Sequence, residues 1–260
     1  MPMLFPPDTH LPDTADALIK SAISSGDLTQ HAHSSSTLLN SLAMSEDDIP
    51  ILKSIAAHPN TDANTLICLE QRYPDMFDNE LAVHAETTPE ILENLYQRGN
   101  CFIRSAVVTH IRCPQFLLDL AFNETDTTIL RHLAANPRLS PEKLAILAQH
   151  DDVSVLRTLA GNPSLSKELA NQMIHNSSNS VRRALASRTD LTDENLQQLA
   201  NDEDHWVRQR VARHPQLDEL LLNKLAQDQN DEVRRAVTRN PLTSIDILRR
   251  LSVDNSVWVR

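Results

Sequence analysis

The sequence predicts an all-α solenoid of about eight 26-residue helix-turn-helix repeats, and three observations predict it. One dipeptide position recurs every 26 residues without insertion or deletion: His58-Pro59, His84-Ala85, His110-Ile111, Asn136-Pro137, Asn162-Pro163, Arg188-Thr189, His214-Pro215 and Asn240-Pro241. Two further columns of the same period are wholly apolar. One reads Ile51, Phe77, Ile103, Ile129, Val155, Val181, Val207, Val233, Val259, and the other, four residues on, reads Ile55, Leu81, Val107, Leu133, Leu159, Leu185, Val211, Val237. Composition agrees: leucine and alanine dominate the apolar content of the 260 residues, while glycine numbers 3 and the aromatics are 5 Phe, 2 Tyr and 2 Trp. Neither glycine-rich nucleotide loop can be built from three scattered glycines, and an aromatic-studded sheet is disfavoured.

Taken in order, residues 1–35 carry Pro2, Pro6, Pro7 and Pro12 and the polar run His31–Ser35, and read as a partly disordered arm with one short helix near 13–23. Residues 36–50 read as a capping half-repeat, because Ser36, Ala43 and Glu46 stand one period before Asp62, Leu69 and Arg72. The array then runs over 51–260. In each repeat the i, i+4 apolar pair, followed by a small residue such as Ala56, Ala134 or Ala212, makes a first amphipathic helix that proline or a turn former stops. A second helix begins at the column Asp62, Thr88, Pro114, Ser140, Ser166, Thr192, Asp218, Ser244, an N-cap residue in seven of eight repeats. Its buried face is Leu66, Leu92, Leu118, Leu144, Ala170, Leu196, Leu222, Leu248, with Leu69, Leu95, Ala121, Leu147, Met173, Leu199, Leu225, Leu251 one turn later. Helices of about nine residues are not stable alone, so successive repeats must stack and share a core.

The apolar runs are far shorter than the roughly 18 residues of a membrane span, and the N-terminus lacks the basic and apolar regions of a secretory signal. Cys68, Cys101 and Cys113 form no C-x-x-C, which argues against a disulfide framework or a conventional zinc or iron–sulfur site and for a cytoplasmic location. No G-x-S-x-G or H-E-x-x-H occurs, and the acidic residues follow the repeat phase rather than converging outside it, so no enzyme is predicted. Cys101 and Cys113 have His110 nearby in sequence, which does not make a catalytic dyad. The net charge of −11 is uneven, since residues 181–260 hold 13 basic and 13 acidic side chains and leave the rest of the chain strongly acidic.

The pattern V-R-x-x-[LV]-A-x-N-P-x-L-[ST]-x-E-x-L-x-x-L-A-x-D, carried with local departures by Val181–Asp202 and Val207–Asp228, resembles the leucine-rich repeat variant and, more broadly, HEAT-like solenoids over residues 51–260. The resemblance implies a right-handed superhelix with the Val-Arg helices on its concave side. It also implies a ladder in which Arg104, Arg182, Arg208, Arg234 and Arg260 meet Asn176, Asp202, Asp228 and Asp254 from repeat to repeat. An arginine at the edge of an apolar stripe needs such an acceptor. The leucine-rich repeat variant's iron–sulfur cluster rests on an N-terminal cysteine group. No cysteine precedes Cys68, so the resemblance brings no cofactor.

The next column, Lys53, Arg131, Arg157, Arg183 and Arg235, is broken by Gln209 and lies about 200° around the helix from the buried position, facing water. The histidine column is expected to serve turns or caps rather than a metal. Repeats are spaced about 8–10 Å apart, whereas zinc holds nitrogens at about 2.0–2.1 Å, so successive members cannot share an ion.

The sequence therefore predicts a non-catalytic scaffold for a protein or extended peptide, with Arg131, Arg157, Arg183 and Arg235 as contacts and Trp206 and Trp258 as aromatic anchors. A nucleic-acid-binding solenoid using the same arginines is the alternative, against which the acidic charge and scarce aromatics count. No metal and no membrane partner are expected. Trp258-Val259-Arg260 repeats Trp206-Val207-Arg208, so a further repeat begins and Leu248 and Leu251 lack a cover. The expected reasons are a longer array, a docked partner or an end-to-end dimer through that edge.

Overall fold

Short amphipathic helices stopped every dozen residues by turn formers leave the chain little choice but to pack helix on helix. The computed structural model describes residues 35–260, so the arm expected over 1–35 lies outside it except for Ser35. Seventeen helices and no strand occur among the described residues. The described residues form two compact units, 35–117 and 118–260, a division that the unbroken 26-residue period does not announce.

In the first unit, α1 (Ser36–Ser45) is capped by Ser35 and packs on α3 (Ala63–Arg72). The first helices α2 (Ile49–Ala57), α4 (Asp78–Val83) and α6 (Cys101–Thr109) stack in sequence, with α5 (Pro89–Arg98) behind them, and the boundary between the units falls within the helix that follows, α7 (Gln115–Ala121). Gly99 lets α5 run almost directly into α6, since a Cβ there would lie 2.5 Å from the Leu95 carbonyl oxygen. In the second unit, α8 (Thr127–Ala134), α10 (Val153–Ala160), α12 (Asn179–Leu185), α14 (His205–Ala212) and α16 (Asp231–Thr238) stack on one another in sequence. The second helices are α9 (Pro141–Leu147), α11 (Lys167–Met173), α13 (Asp193–Leu199), α15 (Glu219–Leu225) and α17 (Ile245–Leu251), and each packs chiefly against the first helices beside it.

The predicted register holds. All eight members of the Ile55 to Val237 column are buried, each at 1% exposure or less. Six of the expected second-helix caps accept a backbone amide through their side chains: Asp62, Thr88, Ser140, Ser166, Thr192 and Asp218. Ser244 does not. Its Oγ is buried without a partner, so the cap expected there is absent. Leu248 also departs from its column, at 38% exposed, whereas Leu251, expected to lack a cover as well, is buried at 3%. A second set of caps, unread in the sequence, starts the first helices, where Asn100, Asp126, Asp152, Asp204 and Asn230 accept amides one or two positions into the helix.

The column led by His58 is buried throughout and forms a polar ladder. His84 Nε2 lies 2.8 Å from the carbonyl oxygen of His58, His110 Nε2 the same distance from that of His84, and His214 Nε2 2.7 Å from that of Arg188. Each Nδ1 accepts the amide two residues on, as from Glu86, Arg112 and Gln216. This fixes the neutral ring with its proton on Nε2. Asparagine reproduces both contacts: Asn162 Nδ2 donates to the carbonyls of Ala134 and Asn136 while its Oδ1 accepts from Ser164, and Asn240 repeats the pattern. Arg188 fills the place with a cation, donating to the carbonyls of Ala160, Asn162 and Leu165 and pairing with Asp190.

The expected Arg–Asp ladder is present in the last repeats. Arg182, Arg208 and Arg234 each send Nε and Nη2 to both carboxylate oxygens of Asp202, Asp228 and Asp254, at 2.6–2.9 Å. Nη1 of each donates to two carbonyls of the preceding turn, which for Arg208 belong to Asp202 and Glu203. Burial pushes the Asp228 carboxyl up, but the Arg208 guanidinium and the Asn230 amide outweigh it and hold the group below the usual range. In the first unit the rung is reversed: Asp78 stands in the arginine column and Arg98 in the aspartate column, 20 residues apart, and they pair at 2.7 Å. Leu130 and Leu156 replace the arginine in the middle repeats and are buried instead.

Two predictions follow from these ladders. Removing one partner of a buried ion pair strands the other, so Arg208→Ala is expected to cost about 3 kcal/mol in urea unfolding of the full chain. The Arg208→Asp/Asp228→Arg double variant should recover part of that loss, as the reversed rung at Asp78 indicates. The second concerns acid. Burial lowers the His110 pKa below its ordinary 6.5. A base whose folded value is depressed contributes stability that is full above its unfolded value and is lost as pH falls from about 6.5 toward the folded value. His110→Asn keeps a donor and an acceptor in place, so thermal melts should show near wild-type stability at pH 7.5 and a smaller loss at pH 5.

Candidate functional site

The ladder accounts for Arg182, Arg208 and Arg234 as structural groups, and what remains is the stripe one residue on. Arg131, Arg157 and Arg183 occupy the same register on α8, α10 and α12. Among the described residues no carboxylate pairs with any of the three, unlike Lys53, which meets Glu80 in the first unit at 3.3 Å.

The structure brings Arg157 and Arg183 together with Trp206 in a concavity of about 360 Å³ along α10, α12 and α14. The Arg183 guanidinium lies over the Trp206 ring, 5.3 Å from its centroid. Trp206 is 44% exposed and leans against the His205 ring at 4.8 Å. Its place is set from below: Asp204 caps α14, accepting the Trp206 amide at 2.8 Å, and its other oxygen takes the Asn179 amide hydrogen at 2.6 Å. Burial raises the Asp204 carboxyl, but these bonds outweigh it and the group is held below its usual range. Arg210 closes the far side, its Nε donating to Ser187 Oγ at 2.6 Å.

Of the side chains that the sequence offers as contacts, Arg131, Arg235 and Trp258 do not line this concavity. Gln209 interrupts the stripe because its side chain turns inward, buried, and donates to Glu232 at 3.2 Å. Arg235 then pairs with the same Glu232 at 3.3 Å, which neutralises it. Trp258 lies beyond α17 and is 68% exposed, outside the lining of the concavity. Arg210, Asn179 and Asp204 were missed in the sequence, for they sit off the stripe's register and only side-chain geometry gathers them. Two larger hollows, of about 730 and 640 Å³, flank the ladder, but Arg208 and Asp228 in one and Arg182 and Asp202 in the other are spent on each other.

Other candidates resolve into structure. Both ring nitrogens of His110 are engaged with backbone, and Cys113 is buried with its Sγ near the Pro114 carbonyl. No group of three His, Cys, Asp or Glu that could hold a metal occurs among the described residues. No helix among them is long and apolar enough to cross a membrane.

Exposed side chains in the concavity make few stabilising contacts. Arg157→Gln, Arg183→Gln and Trp206→Ala are each expected to change unfolding free energy by no more than about 1 kcal/mol, measured by urea titration. A larger loss would return these residues to the scaffold.

No family model matches the chain, and no curated protein matches it. Among solved structures it is similar to a leucine-rich repeat variant described as having a novel repetitive protein structural motif. The TM-score is 0.56 and the identity 20%, over 83% of this chain and 85% of that one. The likeness establishes the fold as that of an α-helical repeat protein.

Proposed function

We propose that the chain is a non-catalytic repeat scaffold that binds a protein partner, through an extended peptide segment, in the groove formed by Arg157, Arg183 and Trp206. One observation carries this reading. In a chain whose ladder arginines are consumed by aspartates, two unpaired guanidinium groups and a partly exposed tryptophan converge on one concave surface. Arginine and tryptophan are the side chains that most often dominate binding energy at protein interfaces. Stacked first helices hold them on a rigid base, so little ordering cost is incurred on binding. Of the two serines in the groove, Ser187 accepts from Arg210 and Ser180 shares a hydrogen bond with Ser178.

The test is selection of a displayed random-peptide library on the immobilised full chain, with the Arg157→Gln/Arg183→Gln/Trp206→Ala variant as counter-target. Peptides retained by the wild type are expected to bind the variant at least about ten-fold more weakly, a loss of roughly 1.4 kcal/mol. Enrichment of peptides indifferent to the three substitutions would move the interface elsewhere. A steeply salt-dependent affinity for single-stranded DNA exceeding that for any peptide would make the partner a nucleic acid instead.

A further inference from the structure

Resting on that peptide-binding reading, we propose that the segment bound is a polyproline II helix with a carboxylate at every third residue. Its acids meet Arg131, Arg157 and Arg183 in turn, and an apolar residue or proline follows against Trp206.

The spacing of the arginines selects this conformation. They stand at one register on α8, α10 and α12, first helices that pack directly on one another. Stacked helices lie about 8–10 Å apart. A β-strand presents side chains on one face every second residue, about 6.6–6.8 Å, and by the third arginine it would be several ångströms out of step. A polyproline II helix has three residues per turn and rises about 3.1 Å per residue, so one face recurs every 9.3 Å or so and keeps pace with the repeats. That helix also has no internal hydrogen bonds to break and little freedom to lose on docking.

The charge selects the side chain. The three guanidinium groups have no carboxylate of their own, and a guanidinium fork accepts a carboxylate bidentately. They form a positive island in a chain of net charge −11. The island ends where the proposed acids end. At the next position Gln209 is buried, Glu232 holds both Gln209 and Arg235, and Asp204 sits beneath Trp206. A fourth acid would meet Asp204 and Glu232 and be repelled, whereas proline or an aliphatic side chain finds the exposed tryptophan ring. A nucleic-acid strand would need several aromatic faces in succession, and this path offers the single ring of Trp206 beside Arg157, Arg183 and Arg210.

The decisive experiment is fluorescence anisotropy of the full chain with a labelled Glu-Pro-Pro-Glu-Pro-Pro-Glu-Pro-Pro-Pro peptide and with a permuted peptide of the same composition whose three glutamates are contiguous. The spaced peptide is expected to bind at least about ten-fold more tightly than the permuted one. Arg131→Gln, Arg157→Gln and Arg183→Gln should each weaken it several-fold, and the triple variant should abolish binding while its melting temperature stays near wild type. Equal binding of the permuted peptide overturns the proposal, as does undiminished binding to the triple variant or displacement of the peptide by an equimolar oligothymidylate. Should neither peptide bind while library selection still yields ligands dependent on Arg157, Arg183 and Trp206, this proposal fails and the peptide-binding reading stands. Failure of both experiments removes the reading itself.

Discussion

Helices of six to ten residues end almost as soon as they begin, so a large share of their backbone polar groups lack an intrahelical partner. Stacking buries the turns where these groups lie, and a buried carbonyl without a donor costs about 1–3 kcal/mol. The His58 column answers this demand. His84, His110, Asn162, Arg188, His214 and Asn240 each reach the carbonyl of the same column one repeat earlier, and all of these except Arg188 accept an amide from their own turn. Because donor and acceptor stand at one register position in successive repeats, a repeat lengthened by one residue would carry the side chain away from its carbonyl. The unvarying period of 26 is what this bond requires.

Within that constraint the chemistry is interchangeable. Histidine and asparagine both present a donor and an acceptor in the needed directions, and Arg188 does so by recruiting Asp190 as a counter-charge. The outer rung shows the same freedom. Arg208–Asp228, the reversed Asp78–Arg98 and buried Leu156 occupy equivalent places. Where leucine removes the ion pair, the partner column keeps its local duty: His150 and Asn176 still accept the amides of Asp152 and Ser178, as Asp202 accepts that of Asp204. A buried ion pair repays its desolvation only with several hydrogen bonds. The ladder arginines have them, each reaching a carboxylate and two carbonyls.

This division leaves a residue of charge free for other work. Adjacent positions on one helix, Arg182 and Arg183, have opposite fates because a single step rotates the side chain by about 100°, from the edge of the core to open solvent. The first belongs to the scaffold and the second lies over Trp206. The proposed recognition falls to side chains that the ladder does not use, on helices whose position the ladder fixes.

The sequence by itself determined the repeat, its register, the apolar columns and most second-helix caps, because each depends on contacts that recur with the period and so leave a periodic trace, and the resemblance to HEAT-like solenoids added the Arg–Asp ladder. The sequence also placed Arg157, Arg183 and Trp206 among the exposed candidates. Tertiary structure alone decided which of those candidates meet. Arg235 and Arg183 are equivalent in the pattern, yet Glu232 captures the one while a tryptophan ring receives the other. The missing cap at Ser244, the exposed Leu248 and the recruitment of Asn179, Asp204 and Arg210 to the groove are of the same kind. Each arises where one repeat differs from its neighbours in what lies beside it, and that depends on side-chain directions across repeats, which a periodic pattern does not encode.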